Sequence, residues 1–183
     1  WRGFIMKLLY EKLVEELAKR NLKCKIIAVG RSALELYGIE EGRFTKDIDF
    51  ELDTDEEGWK AVEEVLGRLE ILADFSEDID RWGIVPMPEG YRERAVCVLR
   101  KGEVELCVLD PVDYILSKLR RGTAEDEEDA LMVAKKFRID QQAILERAKL
   151  IRPIKDVQFF LFKKRLERFL RENFEGPTLN MGL

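Results

Sequence analysis

Residues 47–53, Asp-Ile-Asp-Phe-Glu-Leu-Asp, alternate strictly between acidic and apolar side chains. A repeat of two residues is that of a β-strand, so the apolar side chains face one way and the acids the other. The apolar face of such a strand must be covered by other elements of the fold. The pattern therefore predicts a sheet with a packed face, and it places Asp47 and Asp49 together on the opposite face.

Helical and strand patterns surround this segment. An apolar residue at every fourth position of 5–17 predicts a first helix, and residues 24–29 form an apolar run typical of a buried strand. Residues 94–100 and 103–109 flank Lys101-Gly102, which predicts a hairpin with a tight turn. Capping residues after residue 110 predict helices to about residue 173. We therefore expect an α+β fold: a mixed β-sheet with flanking helices and a C-terminal helical part.

The same patterns divide the chain into parts. We expect an α/β core over residues 1–110, a helical subdomain over 111–175 and a flexible tail over 176–183. The tail contains Gly, Pro and Asn after the last helical pattern. No apolar run approaches the roughly 20 residues that span a bilayer, and the short apolar start does not have the pattern of a signal peptide. We expect no membrane association and a cytoplasmic location.

The composition excludes several kinds of chemistry. The chain has no histidine, which removes His-dependent triads, His general bases and His metal ligands. The three cysteines form no Cys-x-x-Cys pair, which argues against a zinc site. Pairing across the predicted turn sets Cys97 opposite Leu106 and Cys107 opposite Val96, so the two thiols should face opposite sides of the hairpin. Carboxylates, Lys, Arg, hydroxyls and bound metal remain.

Charge is unevenly distributed. Residues 135–172 contain twelve Lys or Arg and five Asp or Glu, a local charge of +7, whereas the net charge of the chain is −5. The rest of the chain therefore carries −12. Two interpretations remain open: solvated helix faces, or a basic surface for a phosphate-rich partner.

Three features point to a phosphate and metal site. A predicted strand ends at Gly30, where the absence of a side chain lets a ligand approach the backbone. Asp47 and Asp49 project from one face of a strand, and Mg²⁺ is commonly held by one or two carboxylates plus substrate phosphates. Glu105, on a neighbouring strand, would add the third carboxylate of a two-metal clamp. The alternative is an acidic strand edge that faces solvent.

Residues 29–34, Val-Gly-Arg-Ser-Ala-Leu, and 43–50, Arg-Phe-Thr-Lys-Asp-Ile-Asp-Phe, resemble the DNA polymerase beta-type nucleotidyltransferase superfamily. In particular, they resemble its small prokaryotic branch, which includes abortive-infection and toxin–antitoxin nucleotidyltransferases. The downstream motifs of that branch look like Pro111-Val112-Asp113 with Lys118, followed by Asp126 and Asp129. The resemblance covers roughly residues 5–137.

The resemblance implies roles for particular residues. Asp47, Asp49 and Glu105 would be the catalytic carboxylates and would bind Mg²⁺ or Mn²⁺. A nucleoside triphosphate would be held by a second set: Gly30, Arg31, Ser32, Arg43, Thr45 and Lys118. A hydroxyl acceptor on a protein, an RNA or a small molecule would attack the α-phosphate and release pyrophosphate, with the metal supplying electrostatic stabilisation. The basic C-terminal helices would favour RNA or a partner protein.

Arg31 departs from the pattern of that branch, which has a second small residue at this position. A long side chain there would either obstruct a phosphate or contact it. Three functions therefore remain open: an active nucleotidyltransferase, a catalytically weak binding module such as a toxin–antitoxin component, and a metal-dependent nuclease that uses the same carboxylates.

Overall fold

A computed structural model describes residues 4–40 and 45–174 of the chain. Its strands are β1 (Cys24–Val29), β2 (Ile48–Thr54), β3 (Ala73–Ser76), β4 (Val96–Lys101) and β5 (Val104–Val108). They form one sheet in the order β3-β2-β1-β5-β4. The β1–β2 and β4–β5 pairs are antiparallel, whereas β1–β5 and β2–β3 are parallel. The sheet is mixed, as predicted.

The α-helices are α1 (Ile5–Ala18), α2 (Glu56–Arg68), α3 (Tyr91–Arg94), α4 (Pro111–Arg121), α5 (Ala124–Lys136), α6 (Gln141–Ala148) and α7 (Val157–Asn173). Short 3-10 helices cover Arg31–Tyr37 and Ile79–Trp82. The predicted α+β class is confirmed. No helix within the described ranges has both the length and the apolar character needed to cross a membrane. The predicted tail, 176–183, lies outside these ranges.

The chain divides into two compact units. The first contains the sheet, α1 and α2, and it comprises the described residues up to 79 together with 94–109. The second contains α4 to α7 and comprises 80–93 together with 110–174. The chain therefore passes between the units three times, and each unit contains buried apolar residues.

Helix α1 packs on the apolar face of the sheet and buries five residues: Met6, Tyr10, Leu13, Val14 and Leu17. The predicted helix is confirmed, but the predicted stripe is partly wrong, because Ile5 is 39% exposed. A strict spacing of four residues drifts around a helix that has 3.6 residues per turn. The first turn has no side-chain cap of its own, and the backbone N–H of Met6 instead donates to Glu35 at 2.6 Å.

Side-chain caps begin α2, α4, α5, α6 and α7. Asp55 accepts from the N–H of Gly58, Asp110 from that of Val112, and Asp140 from that of Ala143. Thr123 and Asp126 form a reciprocal capping box at the start of α5. Each cap satisfies backbone donors that have no partner within the helix.

The hairpin is present, but its predicted register is wrong. Lys101 pairs with Val104, so the turn residues are Gly102 and Glu103, and a register shift follows between Cys97 and Leu99. The new turn displaces the predicted pairing by two residues, which leaves every side chain on its predicted face. The one extra residue in β4 then moves the pairing back by one, which reverses the faces beyond it. Cys97 consequently lies directly opposite Cys107. Burial raises the pKa of the Cys107 thiol to about 12.

Candidate functional site

The turn at Gly30 connects β1 to the 3-10 helix Arg31–Tyr37 and adopts a backbone conformation that suits only glycine. Its φ is 64° and its ψ is −160°. A Cβ atom at this position would lie 2.8 Å from Oδ2 of Asp49, closer than real Cβ contacts. Position 30 therefore requires glycine for two reasons. Its dihedral angles suit no other residue, and a side chain would prevent the close approach of the backbone to the Asp49 carboxylate.

A buried hydrogen-bond cluster fixes this approach. The Ser32 hydroxyl accepts from the backbone N–H of Asp49 at 3.0 Å and lies 3.2 Å from the carbonyl oxygen of Val29, to which it can donate. The Tyr10 hydroxyl lies 2.7 Å from that of Ser32 and can donate to the carbonyl oxygen of Asp49 at 2.8 Å. Tyr10 and Ser32 are fully buried. Burial raises the pKa of Tyr10 far above its usual value, so the phenol remains protonated.

The acidic strand runs alongside this turn. Asp49 pairs with Val29, the last residue of β1, and Asp47 lies in a bend immediately before the first residue of β2. Both carboxylates are half-buried. The next acid along the strand, Glu51, is only 2% exposed and accepts from the backbone N–H of Ile79 at 2.9 Å. The acidic face of β2 is therefore not an open solvent edge, which was the alternative interpretation of this strand.

Glu105 does not join the aspartates, and the expectation that it would meet them beside Gly30 is wrong. It pairs with Lys25 on β1, whereas Asp49 pairs with Val29. Val29 and Lys25 are four residues apart on β1, so Asp49 and Glu105 are separated along the strand direction by about 13 Å at 3.3 Å per residue. The carboxylate of Glu105 is instead ion-paired with Arg100 on β4. Glu105 lies on the same face of the sheet as Asp49, but β1 separates its strand from β2, and the parallel register with β1 places it at the far end.

The donors near the turn suit a hard cation, because Mg²⁺ takes carboxylate oxygens and completes its shell with water and phosphate. Two carboxylates, Asp47 and Asp49, suffice for one ion. Within residues 4–40 and 45–174, however, just one group of three or more candidate metal ligands has its ligand atoms within 4.8 Å of one another. This group consists of Cys97, Glu105 and Cys107. A third described carboxylate therefore does not complete a clamp at Asp47 and Asp49.

The remaining predicted site residues lie in different places. Arg31 and Ser32 begin the 3-10 helix directly after Gly30, and Arg31 is half-buried. Thr45, also half-buried, lies just before the acidic strand, and its hydroxyl is 3.5 Å from the carbonyl oxygen of Asp47. Arg43 falls outside the described residues. The turn and the strand thus bring Gly30, Arg31 and Ser32 beside Asp49.

Lys118 belongs to the second unit, where it is buried between α4 and α5. Its ammonium lies 2.9 Å from Asp129 and 3.2 Å from Asp126, and Asp126 also accepts from Arg121 at 2.7 Å. Burial by itself raises the pKa of Asp126, but the bonds from Arg121 and Thr123 and the charge of Lys118 outweigh it and hold the pKa well below its usual range. Asp129 therefore pairs with a base from the neighbouring helix.

Asp113 belongs to the same predicted motif on α4 as Lys118. It is fully buried, and its carboxylate lies 3.0 Å from the guanidinium of Arg147. The motif residues of α4 and α5 therefore make ion pairs inside the second unit. Buried charges require such partners, so these contacts account for acids and a lysine at positions that are otherwise apolar.

Two buried residues were not predicted from the sequence as site residues: Tyr10, which belongs to the cluster at the turn, and Glu51, which follows Asp49 on the same face of β2. Tyr10 lies outside the predicted apolar stripe of α1, and its polar tip at a helix position was the one available signal. Glu51 belongs to the alternating acids, but alternation alone does not distinguish a buried acid from an exposed one.

A mixed sheet in which a glycine turn lies against an acidic strand is an arrangement expected of a nucleotidyltransferase-like domain. Residues 6–158 match the family described as "Nucleotidyltransferase of unknown function (DUF6036)". Because this match covers most of the chain, the protein belongs to that family. No curated protein and no solved structure matches the chain.

Proposed function

We propose that this protein is a Mg²⁺- or Mn²⁺-dependent nucleotidyltransferase that transfers a nucleoside monophosphate from a nucleoside triphosphate to a hydroxyl acceptor. The observation that carries the proposal is the contact between the Gly30 backbone and the Asp49 carboxylate. It provides a position where phosphate oxygens and a carboxylate-bound cation can be adjacent, since glycine leaves the backbone open to a ligand. Membership of a nucleotidyltransferase family supports the same chemistry.

In this proposal, each residue near the turn has a limited task. Asp47 and Asp49 hold the cation, while Tyr10 and Ser32 position Asp49 by binding both polar groups of its backbone. A bound divalent cation would neutralise charge on the triphosphate and on the departing pyrophosphate. The acceptor hydroxyl would attack the α-phosphorus and lose its proton to solvent, while the bond to the pyrophosphate oxygen breaks and pyrophosphate leaves. Arg31, Arg43 and Thr45 remain proposed contacts of the triphosphate.

Calorimetric titration with Mg²⁺ and each of the four nucleoside triphosphates tests this proposal. The double variant Asp47→Asn/Asp49→Asn should lose most of its affinity, because amides do not replace two anionic ligands of a hard cation. Asp53→Asn is a matched control, since Asp53 is an exposed acid on the same strand that pairs with Lys25 at the far end. Equal affinity of the double variant and the wild type would contradict the proposal.

A second candidate is a binding module with weak or no catalysis, such as one component of a toxin–antitoxin pair. One observation favours it: no described residue supplies a third carboxylate beside Asp47 and Asp49. Incubation with triphosphates labelled at the α-phosphate, in the presence of RNA and of cell extract, separates the two candidates. Label transferred to any acceptor by the wild type, but not by the double variant, rejects the binding module.

The acceptor is proposed to be an RNA or a partner protein. The basic stretch 135–172 supports a phosphate-rich or acidic partner, because it carries +7 on a chain whose net charge is negative. Affinity that falls steeply with salt would support RNA, since each neutralised phosphate releases counterions. The location remains proposed to be cytoplasmic.

A further inference from the structure

A second cluster of side chains that can act as metal ligands lies on the β4–β5 hairpin. Cys97, Glu105 and Cys107 each offer one ligand atom, and the three atoms lie within 4.8 Å of one another. Cys97 is exposed, Glu105 is half-buried and Cys107 is buried. This cluster is separate from the Gly30 turn, because Glu105 lies four residues of strand away from the level of Asp49.

Backbone geometry brings the three residues together. Glu105 and Cys107 are two residues apart on β5 and therefore share a face of the sheet. Cys97 would lie on the other face in a regular hairpin, but the register shift between Cys97 and Leu99 places it directly opposite Cys107. A register shift of this kind redirects a side chain, and such shifts are common beside functional sites.

We propose that Cys97, Glu105 and Cys107 form a binding site for a thiophilic divalent cation of the Zn²⁺ class. Two sulfur donors and one carboxylate suit a borderline-soft ion better than Mg²⁺, which takes oxygen ligands. Zinc lies about 2.3 Å from sulfur and about 2.0–2.2 Å from oxygen, so tetrahedral donors are roughly 3.6–3.8 Å apart. The three side chains need to close by no more than about 1 Å. Uptake of the ion releases the thiol protons to solvent.

Two cationic side chains border the site and set its affinity. Lys25 pairs with Glu105 on β1, and the guanidinium of Arg100 is ion-paired with the Glu105 carboxylate from β4. The Arg100 side chain is 63% exposed, so the metal can displace it at little cost, because exposed ion pairs contribute little. Arg100 therefore competes with the metal ion for the Glu105 carboxylate, but it does not block metal binding.

Titration of the reduced, full-length protein with Co²⁺ alone, followed by displacement with Zn²⁺, tests the site. We expect one Co²⁺ per chain and a thiolate-to-cobalt charge-transfer absorption. Cys97→Ser should abolish this absorption, and because Cys97 is exposed, that substitution should leave the fold intact. Cys24→Ala is the matched control, since Cys24 is the third cysteine, is buried on β1 and lies outside the cluster.

Two further variants separate metal binding from a structural role. Glu105→Gln should weaken Co²⁺ binding by at least the roughly 10–100-fold that loss of a supporting residue costs a metal site. Arg100→Met should strengthen binding, because it removes the competing cation. The proposal is overturned if the thiolate-to-cobalt absorption is missing from the wild type, or if it persists in Cys97→Ser. It is also overturned if the absorption is lost in Cys24→Ala, or if Cys97 and Cys107 form a disulfide in the presence of reductant and metal.

Discussion

At the scale of single residues, Gly30 is the position where local conformation and the candidate site depend on each other. Its dihedral angles lie in a region that other residues essentially do not occupy, and its missing side chain is the reason that Asp49 can approach the backbone. The sequence correctly identified this glycine as a turn. The contact with Asp49 became visible when the pairing of β1 with β2 was known.

Gly30→Ala should destabilise the protein by about 1–3 kcal/mol through backbone strain alone. It should also abolish nucleotide binding, because its Cβ would displace the Asp49 carboxylate. Urea denaturation and calorimetry measure the two effects. Gly67→Ala is the control, since a Cβ there meets no atom of the described residues within 4 Å and an alanine in the last turn of α2 should stabilise it by no more than about 0.5–1 kcal/mol. A Gly30→Ala protein with normal nucleotide affinity would show that the close approach is not needed.

At the scale of elements, α4 and α5 are joined by charge as well as by apolar packing. Lys118 lies between Asp126 and Asp129, and Arg121 adds a second contact to Asp126. The sequence identified Lys118, Asp126 and Asp129 as motif residues of two successive helices. It did not predict that a single lysine joins both acids, because that contact depends on the angle between two helices.

Asp126 should make stability depend on pH. Its pKa is lowered in the folded chain, so its contribution is fully present above the unfolded value of about 3.9 and is lost as the pH falls through the folded value. Asp126→Asn should cost about 1.5–3 kcal/mol at pH 7. The difference from the wild type should shrink below about pH 4. Urea denaturation between pH 7 and pH 3 tests this expectation.

The control is Asp140→Asn, an exposed cap of α6, because asparagine caps a helix about as well as aspartate. Its effect should be small at pH 7. A constant difference between Asp126→Asn and the wild type over the whole pH range would mean that Asp126 acts through packing and not through charge.

At the scale of the whole molecule, the order of the chain does not match the order of its compact units. Residues 80–93 come before β4 and β5 in the sequence but belong with the later helices. Within that second unit, Arg120 donates from Nε to the carbonyl oxygen of Val85 and from Nη2 to that of Asp80, both at 2.7 Å. One α4 side chain therefore fixes a segment at two points that lie 35 and 40 residues earlier in the chain.

Arg120→Met should release residues 80–93 and cost about 1–3 kcal/mol, because it removes the donors of two carbonyl groups. Limited digestion with chymotrypsin should then cut after Trp82 faster than in the wild type, since that side chain is already 46% exposed. Lys149→Met is the control, because among the described residues the Lys149 ammonium makes an exposed pair with Glu146, and such pairs contribute little. Unchanged digestion would show that other contacts hold the segment.

The sequence by itself determined the kinds of elements and the chemistry available to them. Period-two alternation predicted β2, capping residues predicted helices after residue 110, and the absence of histidine left carboxylates, Lys, Arg, hydroxyls and bound metal for any chemistry. These features depend on neighbours within a few residues, where backbone geometry alone decides the outcome. The glycine turn and the acidic strand also sufficed to indicate the class of protein to which the chain belongs.

Only the tertiary structure decided which side chains meet. Glu105 was predicted on the correct face but lies at the wrong level, because the register of parallel strands is set by packing of the whole sheet and has no local signal. The pairing of Cys97 with Cys107 depends on one extra residue in β4, which reverses the faces. Local sequence fixes where a side chain points relative to its own strand, whereas contacts between strands depend on the burial of every residue in the sheet.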